Sequence, residues 1–251
     1  MAEKAATSEA HSKEPYLPPM FRVGDILAPK APQDIAAAGV EDTDLTDLAL
    51  KMAYTVARFS SEWAAKRLHM SLPLVGAVME QLGREGLVEE TLRTAEGRSH
   101  YKITQRGRER AARLLEICAY IGPAPVRLEA YAAMLRWQFA QTPEVLPAHV
   151  ESSLASLILP AETKQLAGLA VSSGRSLFVY GPAGNGKSSL GRQIHAALSG
   201  DYWIPHCISV ANTVIKVYDD QVHERVKVPT DRPGNIDQRW VRIKRPLVIV
   251  G

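Results

Sequence analysis

Gly181-Pro182-Ala183-Gly184-Asn185-Gly186-Lys187-Ser188 constrains what this chain can fold into more than any other stretch. Its glycines allow backbone torsions closed to other residues, so successive N–H groups can turn inward on one point. Side chains at those positions would obstruct the concavity. After it, Leu190, Ile194 and Leu198 recur on one face of a helical pattern that ends near Gly200. Before it, Ser176-Leu177-Phe178-Val179-Tyr180 reads as a compact apolar strand running straight into Gly181. Strand, glycine-rich turn and helix in that order make a cradle for an anion, where free N–H groups meet the positive end of the helix dipole.

The spacing fits GxxxxGK[ST], the P-loop pattern, at every fixed position. With Gly at about 7% of residues, a chain of this size meets it by chance on the order of once in a hundred. The expected ligands are ATP, with GTP as the alternative, and Mg2+. The expected contacts are Gly181, Pro182, Ala183, Gly184, Asn185, Gly186, Lys187, Ser188 and Ser189. Lys187 would reach the β- and γ-phosphates, and the Ser188 hydroxyl would ligate magnesium. Hydrolysis also needs an acidic residue at the end of a later apolar strand. Pro246–Val250 is the late candidate strand and is followed only by Gly251, while Asp219 and Asp220 follow the less apolar Val214–Tyr218 and read better as a solvated turn. No catalytic residue is assigned.

Residues 1–40 alternate charge, alanine and proline without sustained periodicity, and read as a mobile or extended leader. From Asp44, a candidate N-cap, Leu45, Leu48, Met52, Val56 and Phe59 follow helical spacing. A second helix starts at Ser61, with Trp63, Ala64 and Leu68 inward. A third uses Leu74, Val75, Val78, Met79 and Leu82 and stops near Gly86. Leu87–Thr94 and Ser99–Thr104 then read as a hairpin, and Thr104 caps a helix with Ala111, Leu114, Leu115 and Cys118 on one face. Three helices, a hairpin and a returning helix is the order of a winged helix-turn-helix. After the linker Ile121–Pro125, helices are expected at Leu128–Phe139, Ala148–Leu159 and Ala161–Ser173. Strands are expected at Tyr202–Val210, Val214–Tyr218 and Trp240–Ile243.

Three stretches carry a resemblance: Ser173–Ser188, the linker Gly122–Tyr131, and Arg239–Pro246. The chain resembles bacterial AAA-type ATPases that carry an N-terminal winged helix, over nearly all residues after 40. The resemblance implies an ATPase whose acidic second motif, sensors and helical lid lie beyond the counterpart of Gly251. It also implies a homo-oligomeric full-length parent. The expected fold is therefore an α/β P-loop NTPase module with an incomplete sheet (161–251), preceded by an α+β winged helix-turn-helix domain (41–120) and a linker and helical connector (121–160).

A net charge of +3 permits an anionic partner without demanding one. On the winged helix, Arg93, Arg98, His100 and Lys102 could touch DNA phosphates. The third helix, however, offers only Gln81 and Arg84 to base edges, so contact with a protein partner is the preferred reading over non-specific DNA contact. An ATP-responsive DNA-binding regulator is the alternative function, and a small-molecule kinase the weakest. The run Arg239, Arg242, Lys244, Arg245 reads as a solvated strand edge. Cys118 and Cys207 match no metal-ligand spacing and read as buried thiols. No stretch approaches the ~20 apolar residues of a membrane span, and the cytoplasm is the expected compartment.

Overall fold

The N-terminal helices form where apolar residues recur at helical spacing and a polar side chain starts the turn. The computed structural model describes residues 16–93, 99–142, 145–173, 177–198, 200–211, 213–229 and 233–247. Helices α1 (Ile35–Ala38), α2 (Asp42–Tyr54), α3 (Ser61–Leu68) and α4 (Leu72–Arg84) come first. Ser60 caps α3, its hydroxyl accepting from the Trp63 N–H at 3.1 Å. Asp44 does not cap α2 as expected. That helix starts from the extended Glu41, and Asp44 lies in its first turn with Asp42, where carboxylates suit the helix dipole.

Strand β3 (Phe59–Ser60) precedes α3, and β4 (Val88–Arg93) and β5 (Ser99–Ile103) follow α4, giving an antiparallel sheet of order β3-β5-β4. The link between β4 and β5, residues 94–98, lies outside the described residues. Thr104 accepts from the Gly107 N–H at 3.0 Å and starts α5 (Gln105–Ile117). Gly107 is required by close approach, since a Cβ there would come within 2.1 Å of the Leu87 carbonyl oxygen. Leu45, Leu50, Met52, Leu68, Val75, Met79 and Leu82 make the centre of this core, each stabilising by about 1.5–3 kcal/mol relative to exposure.

The stretch expected as a mobile or extended leader forms regular structure from Met20 on. Strands β1 (Met20–Val23) and β2 (Ile26–Pro29) pair antiparallel across Gly24-Asp25, with Gly24 at φ 58°. The hairpin forms because its apolar residues have a core to enter. Val23 and Ala28 are buried with Val126, Met134, Trp203, Ile236 and Trp240, and the Trp203 indole donates to the Leu27 carbonyl at 3.0 Å. Residues 1–15 of the expected leader lie outside the described residues.

Strands β6 (Val126–Arg127), β7 (Asp201–Pro205), β8 (Cys207–Val210), β9 (Thr213–Lys216) and β10 (Trp240–Lys244) complete the β structure. β8 lies between β6, parallel, and β9, antiparallel, while β7 pairs with β10. The expected strand Tyr202–Val210 is broken at His206, whose N–H turns to the Arg239 carbonyl at 2.8 Å. The content is thus mixed α and β, in small sheets of two or three strands, none closed.

Two compact units result. The first comprises the described residues up to Trp137 with those of Trp203–Asp219 and Lys227–Arg242, and the second those of Gln138–Tyr202, Asp220–Val226 and from Ile243 on. This differs from the expected boundary near residue 160, because Trp203, Ile236 and Trp240 fill the core of the first unit. Helix α6 (Leu128–Gln141) leads into the second unit, which holds α7 (Pro147–Ser153), a 3-10 turn (Leu154–Ser156), α8 (Ala161–Ser172) and α9 (Lys187–Ala197). Its core is Val150, Leu154, Ala167 and Leu190. Among the described residues no helix is long and apolar enough to cross a membrane.

Candidate functional site

The glycine-rich loop takes the backbone its sequence requires. Gly181, Gly184 and Gly186 have φ of 145°, 84° and 73°, values that cost an L-residue roughly 1–2 kcal/mol each. A Cβ at any of the three would meet nothing within 4 Å, so torsion and not crowding selects glycine here. Helix α9 begins directly after Gly186, which has no capping side chain, and the Gly186 carbonyl accepts from the Leu190 N–H at 2.8 Å. The first-turn N–H groups at Lys187, Ser188 and Ser189 have no side-chain cap, and no acidic residue stands in that turn. This is the electrostatic setting of an anion site.

Leu190 anchors the arrangement. It is buried against Val150, Leu154 and Ala167, with Ile194 and Ala197 packed beside it, so the loop is carried on a helix held by a core. Gly181–Gly186, Ser188 and Ser189 are exposed and Lys187 is half-buried. The Lys187 ammonium donates to the Pro182 carbonyl at 2.7 Å, folding back across the loop.

The expected strand ahead of the loop is not formed. Among the described residues Leu177–Tyr180 has no ladder partner, and it is open to solvent, with Phe178 85% and Tyr180 84% exposed and their rings stacked at 6.0 Å. Ser176 lies outside the described residues. A strand apolar on both faces persists only between neighbours, and the described later strands are engaged elsewhere, β7 with β10 and β8 with β6 and β9. Asp219 lies 3.9 Å from Lys216 in an exposed ion pair, and Asp220 is exposed in a turn, which agrees with the solvated reading of both. Of the late strand Pro246–Val250, residues 248–250 lie outside the described residues, and Pro246 and Leu247 are in no strand.

The cations of the β4–β5 hairpin are already engaged. Arg93 pairs with Glu90 at 3.3 Å and donates to the Ser99 hydroxyl at 3.4 Å, and Lys102 pairs with Glu89. Arg98 lies outside the described residues. On α4 the five expected apolar residues are buried, and Gln81 donates to Glu85 at 3.4 Å.

Of the run expected as a solvated edge, Lys244 is exposed and Arg242 and Arg245 are half-buried, but Arg239 departs from it. Arg239 is buried in an ion pair with Asp237, the two side chains only 5% and 2% exposed, and it also donates to the carbonyls of Ala38 at 2.8 Å and Pro125 at 3.3 Å. Lys244 pairs with Glu224, whose carboxylate raises the lysine's pKa, and Arg245 donates to the Tyr202 hydroxyl and stacks on its ring at 5.0 Å. Alternation along a strand pointed to exposure, whereas Asp237, two residues before Arg239, was the signal for a buried pair.

Of the two thiols, Cys207 is buried and Cys118 only partly so. Among the described residues no group of three His, Cys, Asp or Glu side chains could hold a metal ion. The chain matches no protein-family model, no curated protein and no solved structure.

Proposed function

We propose that this chain binds ATP with magnesium at Gly181–Ser189 and passes the nucleotide state to a protein partner through residues 41–120, read as a winged helix. One observation carries the nucleotide reading: three glycines at positive φ lead without a capping side chain into a helix whose first residues are Lys187, Ser188 and Ser189. The residues present suit the ligand. Backbone N–H groups from Gly184 to Ser189 would face the phosphates, Lys187 would exchange its Pro182 carbonyl for phosphate oxygen, and Ser188 would offer its hydroxyl to the metal. Bound magnesium supplies charge neutralisation at the phosphates.

The element order helix, short strand, two helices, hairpin and helix supports the winged-helix reading. Protein contact is favoured over DNA because Arg93 and Lys102 already face Glu90 and Glu89, while the third helix has small residues, Gly76 and Ala77, among its solvent-side positions. The proposed setting is an AAA-type ATPase of the cytoplasm that assembles as a homo-oligomer. The test is a thermal melt of the second unit with and without ATP and magnesium. Stabilisation in the wild type that is absent in Lys187→Ala supports the reading, and no shift in either overturns it. Duplex binding in the same preparation, measured with and without ATP, would instead promote the DNA-binding regulator.

A further inference from the structure

In the first unit, the end of α5 and the start of α2 enclose a cavity of about 350 Å³ that the nucleotide reading does not use. Cys118 and Lys51 line it, with Glu41 just before α2, Asp44 and Asp47 from α2 and Ser209 from β8. Lys51 is the unusual member. It is only 6% exposed, yet its ammonium makes a single hydrogen bond, to the Cys118 carbonyl at 3.0 Å. An ammonium carries three donors, so a buried cation faces the cavity with donors for which the described residues supply no acceptor. That points to an acceptor oxygen brought by a small molecule.

The Cys118 thiol lies beside this cation. Burial alone would push its pKa up, but backbone N–H groups of Tyr120 and Val214 and the Lys51 charge outweigh burial and hold it below the ordinary value. The charged groups around it are Glu41, which precedes α2, and Asp44, Asp47 and Lys51 within it, while β8 and β9 contribute the uncharged Ser209 and Val214. Asp47 pairs with Arg110 at 2.9 Å, a guanidinium it shares with Glu85. Glu41 and Asp44 remain at the rim and disfavour anionic reagents. Cys207 is the contrast. It accepts from the Tyr120 hydroxyl at 3.1 Å, donates to the Pro123 carbonyl at 3.2 Å, and is pushed by burial up to about 11.

We propose that this cavity is an oxidation site for hydrogen peroxide, with Cys118 as the nucleophile and Lys51 as the donor to the departing oxygen. The Cys118 thiolate attacks one peroxide oxygen, forming an S–O bond as the O–O bond breaks. Sulfur gives up two electrons to the peroxide. The second oxygen leaves as hydroxide and takes a proton from the Lys51 ammonium to become water, and solvent returns that proton. The product is a Cys118 sulfenic acid, which a thiol can reduce. A neutral peroxide is the oxidant that both the acidic rim and the unused ammonium donors suit.

The full chain is treated with hydrogen peroxide in the presence of dimedone, digested and weighed. Label on Cys118 with little on Cys207 is expected, and Lys51→Met should slow labelling at least about tenfold, the scale of one charge-assisted hydrogen bond. Two measurements on the wild type keep the test sound if Lys51→Met folds poorly. Alkylation of Cys118 by iodoacetamide should reach half its limiting rate below pH 9.0, the ordinary thiol value. Neutral iodoacetamide should also outpace anionic iodoacetate by more than it does on free cysteine. Equal labelling of the two thiols, a midpoint at or above the free value, or no preference for the neutral reagent would overturn the proposal.

Discussion

Replacing Arg239 by alanine should destabilise the first unit severely. The change strands Asp237, a carboxylate 2% exposed, without the guanidinium that meets it through Nε at 3.0 and 3.2 Å and through a terminal nitrogen at 2.7 Å. Removing one partner of a buried ion pair costs about 3–5 kcal/mol, because the remaining charge is uncompensated. The carbonyls of Ala38 and Pro125 lose a donor in the same step. A domain holds only about 5–15 kcal/mol in total, so the variant should sit near its unfolding threshold. Tryptophan fluorescence in a urea titration is the suitable assay. All four tryptophans, Trp63, Trp137, Trp203 and Trp240, lie in the first unit, so the signal reports on it alone. Arg239→Met combined with Asp237→Leu should recover much of the loss, since an apolar pair of similar volume removes the stranded charge. A loss below about 1 kcal/mol in Arg239→Ala would refute the reasoning and mean that water reaches the pair.

Three further outcomes are expected. Glu89→Gln with Glu90→Gln frees Lys102 and Arg93, so duplex affinity at low salt should rise and its salt dependence steepen by about one counterion per freed cation. An unchanged salt slope in an electrophoretic titration would contradict the pairing. Asp219→Ala and Asp220→Ala should leave any ATP turnover unchanged in a phosphate-release assay, since one is ion-paired at the surface and the other exposed in a turn. Stability of the first unit should fall as pH climbs from the ordinary thiol value of 9.0 towards about 11. Burial raises the folded pKa of Cys207, so the unfolded chain releases its proton first, and the burial-raised Tyr120 acts in the same direction. Urea midpoints that stay flat over that window would show that the thiol is not buried in solution.

Where structure depends on neighbours in sequence, the residues announce it. Ser60 and Thr104 cap the helices they precede, and Leu74, Val75, Val78, Met79 and Leu82 are buried on the face their spacing marks. The loop glycines belong to this class as well, because a positive φ is a local demand. Leu177–Tyr180 is the opposite case. Its composition suits a strand buried on both faces, yet a strand exists only through distant partners, and the described later strands pair in other sheets. The β1–β2 hairpin had a local signal in Gly24-Asp25, masked by the prolines around it. Arg239 could not be read correctly from alternation, since its burial depends on carbonyls 114 and 201 residues away.

Phosphate recognition by the loop at Gly181–Ser189 is the root of the proposed function. A fluorescent ATP analogue titrated with magnesium against wild type and Lys187→Ala tests it most directly. The Lys187 ammonium already has a 2.7 Å bond to the Pro182 carbonyl to give up, so its net contribution should be that of one charge-assisted hydrogen bond, about 1.5–3 kcal/mol. Saturable binding by the wild type, weakened roughly 10- to 150-fold in the variant, is the predicted result. Equal affinity of the two proteins, or no binding by either, would contradict it.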